Sequence, residues 1–140
     1  MSEPIFLSVE DVEFLHHRSI ARYGGTLGIR DRGGLEAAVN QPKNTLYYGQ
    51  GDLFDVAAAY AFHIAEAQAF LDGNKRTAVA AALNFLNLNG VKTIFDSAGL
   101  YEAMISIAEK RFSKKDLALF MGRAYIEWAG RNPPPPRSRR

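Results

Sequence analysis

DVAAAYAFHIAEAQAFLDGNKRTAVAAALNFLNLNG, Asp55 to Gly90, decides the fold. It predicts two alanine-rich helices joined by a tight turn. Both are apolar nearly all round, which places such helices at the centre of a bundle. Their alanines permit close approach of one backbone to the other. Gly90 ends the second helix at a natural C-cap position. Between them, Asp72-Gly73 is a turn dipeptide. The second helix then opens on Lys75 and Arg76. A helix N-terminus carries about +0.5 elementary charge, so a cation there typically costs roughly 0.3–1 kcal/mol. The arrangement becomes favourable if something negative binds.

Outward from this pair the chain continues to read as helix. Ser8 can cap a first helix with Asp11 three residues on, and Val12, Leu15, Ser19, Ile20 and Tyr23 recur near helical spacing. YGGTLGIRDRGG, residues 23–34, has five glycines in twelve residues and breaks helix. LEAAVNQP then predicts a short helix stopped by Pro42, and KNTLYYGQGD a loop. Asp52 or Asp55 starts the first central helix. VKTIF reads as a short extended piece, Asp96 or Ser97 caps a helix reaching about Lys110, and Ser113 with Asp116 opens another. The expectation is an all-α bundle of about six helices with room for one short β excursion.

The 140 residues suit one domain. A chain of this size buries about 70% of its unfolded surface, enough for a self-sufficient core. It has no cysteine, which excludes a disulfide framework and thiol catalysis and fits a reducing cytoplasm. The N-terminus lacks the basic start of a secretory signal, and no apolar run reaches the ~20 residues that span a bilayer. Net charge is +2. Several of the cations lie in RNPPPPRSRR, so residues 1–131 are read as the domain and 132–140 as a disordered or polyproline tail. A solvated tail is favoured over a nucleic-acid arm, and no direct nucleic-acid contact is expected.

The turn also reads as an anion site. Gly73 lets backbone come close to a ligand, and free N–H groups follow at the helix start, a ready seat for phosphate. Arg76 can hold phosphate oxygens through paired hydrogen bonds, with Lys75 as a point charge. A carboxylate such as Asp72 beside phosphates is where Mg²⁺ bridges protein and nucleotide. Asn74 can orient the loop or donate to an oxyanion. The competing structural reading is a plain turn with Asp72 as cap and solvated cations.

QAFLDGNKRTA, from Gln68, resembles the signature of the Fic/Doc superfamily, His-x-Phe-x-Asp/Glu-Gly/Ala-Asn-Gly/Lys-Arg. FLSVEDVEFLHHRSIARYGG, GIRDRGGLEAAVNQP and FLNLNG resemble further stretches of its death-on-curing (Doc) branch, so the likeness runs from Phe6 to Trp128. It implies a Fic-type helical fold, ATP or another nucleoside triphosphate with Mg²⁺, and modification of a protein hydroxyl. Fic enzymes generally transfer AMP. The Doc branch is a kinase that phosphorylates translation elongation factor Tu, and Lys75 places the chain on that side, whereas Gly73 is more Fic-like. Carried over by position, Asp72 is the metal ligand, Gly73, Asn74 and Lys75 line the phosphates, Arg76 clamps them and Phe70 is the buried anchor. The inhibitory pattern Ser/Thr-x-x-x-Glu-Gly/Asn has no match here, which implies inhibition in trans by a small antitoxin.

The departure is Gln68, where the family has its catalytic histidine. Imidazole titrates near neutrality, whereas a carboxamide has no accessible basic state, and loss of a general base costs about 10²–10⁴ in rate. His63 projects about 140° away from Gln68 on a helix and is read as a core histidine. His16 and His17 lie on the first helix, and surface or core roles are favoured for them. Three readings follow: a toxin inactive as written, deliberately disarmed or naturally variant; a pseudoenzyme that binds nucleotide or antitoxin; and a plain helical interaction protein.

Overall fold

The computed structural model describes residues 3–49, 51–92, 99, 102, 103, 106 and 113–131. Five helices run in order: α1 Val9–Tyr23, α2 Arg32–Gly49, α3 Leu53–Ala67, α4 Asn74–Leu88 and α5 Lys114–Arg131. Among the described residues there is no strand, only one isolated antiparallel bridge between Ile29 and Phe70. The all-α expectation holds. The extended piece at 91–95 and the helix from Asp96 or Ser97 to Lys110 fall largely outside the described residues. Gly99, Glu102, Ala103 and Ser106 within that stretch are helical. The tail at 132–140 lies outside them as well.

The helix starts follow local chemistry. Ser8 and Asp11 close a full capping box on α1. Asp52 and Asp55 do the same on α3, and Ser113 and Asp116 exchange the same two bonds ahead of α5. Such reciprocal bonds satisfy backbone donors that a helix leaves open. α4 ends in a complete Schellman motif. The Val91 N–H reaches Leu86 O at 2.9 Å and the Gly90 N–H reaches Asn87 O at 3.2 Å, with Gly90 at φ 84°.

α2 departs from the sequence reading. Pro42 does not stop it, residues 43–49 are helix and not loop, and Gly33 and Gly34 lie inside its first turn. Leu35, Ala38, Val39 and Pro42 are all buried and fall on one stripe that Leu46 extends. Proline inside a helix costs roughly 3 kcal/mol. Burial along this stripe outweighs that cost, since each large apolar side chain contributes about 1.5–3 kcal/mol. At the start, Asp31 accepts from the Gly34 N–H at 2.9 Å and so caps a turn that two glycines would otherwise weaken.

α3 lies at the centre, packed against α2, α4 and α5, while α1 packs on α4 and α2. Ala57, Ala58 and Ala61 of α3 and Ala78, Ala81 and Ala82 of α4 are buried, in keeping with close approach of small side chains. The chain ahead of α1 straps this pair from outside. The buried Tyr60 hydroxyl accepts from the Leu7 N–H at 2.8 Å, and burial pushes its ionisation up to about 12. The Asn89 carboxamide binds both the N–H and the carbonyl of Ile5. α5 closes the other side through buried Leu117 and Met121 and a 3.1 Å ion pair from Lys115 to Asp55. No helix among the described residues is long and apolar enough to cross a membrane.

Candidate active site

Residues 68–76 join the two central helices. Gln68 caps α3 in the left-handed region, at φ 45° and ψ 44°, and is the one non-glycine residue among those described with positive φ. Such backbone costs about 1–2 kcal/mol and persists where neighbours enforce it. Here the link between α1 and α2 does so. Arg30 donates from Nη2 to Gln68 O at 2.6 Å. The N–H groups of Arg30 and Asp31 both reach Ala69 O, at 2.7 and 3.0 Å, and Leu71 N–H returns to Gly28 O at 3.0 Å. The Gln68 side chain is exposed.

Phe70 is fully buried, in the anchor position expected of it. Asn74 answers it from the first turn of α4. Its Oδ1 accepts from Phe70 N–H and its Nδ2 donates to Phe70 O, both at 3.0 Å. Both ends of the carboxamide are therefore occupied in orienting the loop. What Asn74 still offers an anion is its backbone N–H and the second hydrogen of Nδ2.

Asp72 is exposed yet held. Its Oδ1 accepts from Gly73 N–H at 2.9 Å and its Oδ2 from Thr26 N–H at 3.2 Å. Gly25 comes so close that a Cβ there would lie 2.7 Å from Asp72 Oδ2. A carboxylate has about four acceptor sites, so two remain. Among the described residues no cluster of three or more His, Cys, Asp or Glu could hold a metal alone.

Gly73, at φ 76°, occupies the N-cap of α4 and supplies no side-chain cap. The first turn holds no acidic residue, and it carries Lys75 and Arg76, both exposed. Open N–H donors, the positive helix end and two cations thus coincide. The Arg76 guanidinium lies 5.0 Å from the centre of the Tyr23 ring. It borders a cavity of about 570 Å³ between α1 and α4, which Leu15, Arg18, Arg22 and Leu83 also line.

The structure brings Gln68, Phe70, Asp72, Gly73, Asn74, Lys75 and Arg76 into one loop and helix start, and it sets His63 apart. That ring is half-buried, with Nε2 3.3 Å from Lys114 Nζ. Burial and the ammonium lower its pKa to about 4. Sequence reasoning missed three supports: Arg30, the Thr26 N–H, and His16, whose Nε2 lies 2.8 Å from Asp72 O. The glycine-rich stretch 23–34 was the available signal for the first two, since close backbone contact is one use of glycine.

A model of the Fic/DOC family matches residues 6–86. The chain is 38% identical to Protein kinase doc of Escherichia phage P1 over 120 residues, 85% of this chain and 94% of that protein. It is 47% identical to Toxin Doc of Mycolicibacterium smegmatis over 93 residues, 65% of this chain and 69% of that one.

Proposed function

The chain belongs to the Fic/Doc family, and on that premise we propose that it is a Doc-type toxin whose loop at 68–76 serves phosphoryl transfer from ATP to a protein hydroxyl. One observation carries the reading: an α4 N-terminus without a side-chain cap, bearing Lys75 and Arg76, beside a carboxylate fixed by two backbone donors. The names of the two relatives, a kinase and a toxin, support it. On the family resemblance, the proposed target is translation elongation factor Tu, in the cytoplasm.

In this reading the open N–H groups of Asn74 and Lys75 receive phosphate oxygens, while the Gly73 N–H stays on the Asp72 carboxylate and Gly73 leaves room for the ligand. Arg76 clamps them with paired hydrogen bonds and Lys75 adds a point charge. Asp72 holds Mg²⁺, which when bound offsets phosphate charge. Phe70 anchors the loop from below, and Asn74 keeps that anchor in register. The target hydroxyl attacks the γ-phosphorus, ADP leaves, and the hydroxyl proton needs an acceptor. Position 68 is where the family puts it. Gln68 hydrogen-bonds but takes no proton at working pH, so transfer is blocked or slowed as the chain stands.

A small antitoxin is the proposed partner. The cavity beside α1 and α4 is lined by apolar Leu15 and Leu83 and by three arginines, Arg18, Arg22 and Arg76, against one acidic residue, Glu102. That pattern suits an amphipathic helix with an acidic face, and such an occupant would meet Arg76 directly. Co-purification with the product of the neighbouring small reading frame tests the pairing.

Gln68→His tests the function. The variant should label a translation factor from γ-labelled ATP and slow growth, about 10²–10⁴ faster than the parent protein. Label from the α position alone would point to AMP transfer instead. A variant that binds ATP yet labels nothing would favour a nucleotide- or antitoxin-binding pseudoenzyme, the reading that Gln68 itself supports.

A further inference from the structure

The His16 ring is 1% exposed and lies under the loop, at the interface of α1 with α4. It touches the turn twice. Its face stacks on Phe70 with centroids 3.8 Å apart and planes at 7°. Its edge puts Nε2 at 2.8 Å from the carbonyl oxygen of Asp72. A carbonyl only accepts, so Nε2 carries the hydrogen. A Cβ added at Gly73 would sit 3.7 Å from the same ring. One side chain from α1 thus meets three successive parts of the loop.

We infer that His16 is a positioning residue of the phosphate loop, setting the plane of the Asp72–Gly73 peptide through its bond to Asp72 O. The inference rests on reading 68–76 as a nucleotide site. In a trans peptide the carbonyl and the following N–H point in opposite directions, and no described peptide is cis. Drawing the Asp72 carbonyl inward to α1 therefore sends the Gly73 N–H outward. There it meets Asp72 Oδ1 at 2.9 Å, on the side where the first turn of α4 opens. Without the bond the carbonyl would lose its partner, and a rotated peptide would break the Gly73 N–H bond that holds the Asp72 carboxylate beside the phosphate seat. His16 makes no contact with the ligand. It acts through Asp72 and Gly73.

Two variants separate this role from simple packing. His16→Phe keeps a flat ring against Phe70 and removes the donor. His16→Gln keeps an N–H donor at similar reach and removes the ring. ATP with Mg²⁺ is titrated by calorimetry, and amide exchange is followed at residues 73–76. The expected result for His16→Phe is about tenfold weaker ATP binding and about tenfold faster exchange at Gly73 and Asn74, with α3 and α5 unchanged. His16→Gln should restore both to within about threefold. Equal binding and exchange in parent and His16→Phe, or an equal loss in both variants, would overturn the assignment. If the parent binds no ATP, the nucleotide reading fails on its own, and exchange at Gly73 still decides whether His16 fixes the peptide. If His16→Phe does not fold, fast Gly73 exchange in a folded His16→Gln refutes the proposal and parent-like exchange supports it.

Discussion

Gly25 approaches Asp72 closely from outside the loop, and Gly25→Ala should disturb the loop from there. The new Cβ would lie 2.7 Å from Asp72 Oδ2 and 2.9 Å from Ile20 Cδ1, and the backbone there has φ +120°, which side chains with L chirality rarely adopt. Ile20 is buried between helices and has little room to retreat. The carboxylate can swing away, but only by releasing the Thr26 N–H. Backbone strain of about 1–2 kcal/mol and a lost hydrogen bond of about 1–2 kcal/mol together give about 2–4 kcal/mol. At roughly 3–4 °C per kcal/mol for a domain of this size, the melting temperature should fall by about 6–16 °C. Gly24→Ala is the control. Its φ is +86° and ψ 174° but nothing lies within 4 Å of the added atom, so it should lose only backbone strain of about 1–3 kcal/mol and keep its ligand affinity. Thermal unfolding followed by circular dichroism, with ATP–Mg²⁺ titration of both variants, reads the difference. A Gly25→Ala protein that melts within about 2 °C of the parent and binds as the parent does would refute the claim that this contact shapes the site.

Further outcomes follow from the same geometry. His63 is held neutral by burial and by Lys114, with a pKa near 4 against 6.5 when free. The unfolded chain therefore takes up a proton first. Stability is complete above about pH 6.5 and should decline as pH falls towards 4, by about 1–2 kcal/mol once the shift is discounted for partial exposure. Between about pH 6.5 and 4 the denaturant midpoint of the parent should fall more steeply than that of His63→Phe. Asn74→Ala removes both bonds to Phe70 and should cost about 1–3 kcal/mol, with faster amide exchange at Phe70. Arg76→Ala, at an exposed position, should move the unfolding midpoint by less than about 0.5 kcal/mol while weakening ATP affinity at least about tenfold in calorimetry.

What could be read from the chain was local. The boxes at Ser8, Asp52 and Ser113 each close within three residues, so their chemistry lies in adjacent letters. Gly90 and the alanine-rich pair were legible for the same reason. α2 was not, because Pro42 is a strong local breaker whose cost is met by burial along a stripe that only the folded bundle supplies. The loop residues were singled out by spacing and by resemblance, yet the groups that hold the loop were not. His16 reaches Asp72 across 56 residues and Arg30 reaches Gln68 across 38. No periodicity encodes such a pairing. A histidine on an amphipathic helix looks the same whether it packs against leucine or fixes a peptide plane.

The tie from Arg30 takes hold of Gln68 by its main-chain carbonyl, and the side chain stands exposed at a helix cap. Histidine is among the residues that accept left-handed backbone more readily than most. The fold is thus largely indifferent to which of the two occupies the position. Their codons differ only in the last base. If position 68 supplies the general base as proposed, a single nucleotide change separates a silent from an armed form, at little cost to the fold. Selection at that codon is then free to track the benefit or harm of the chemistry alone.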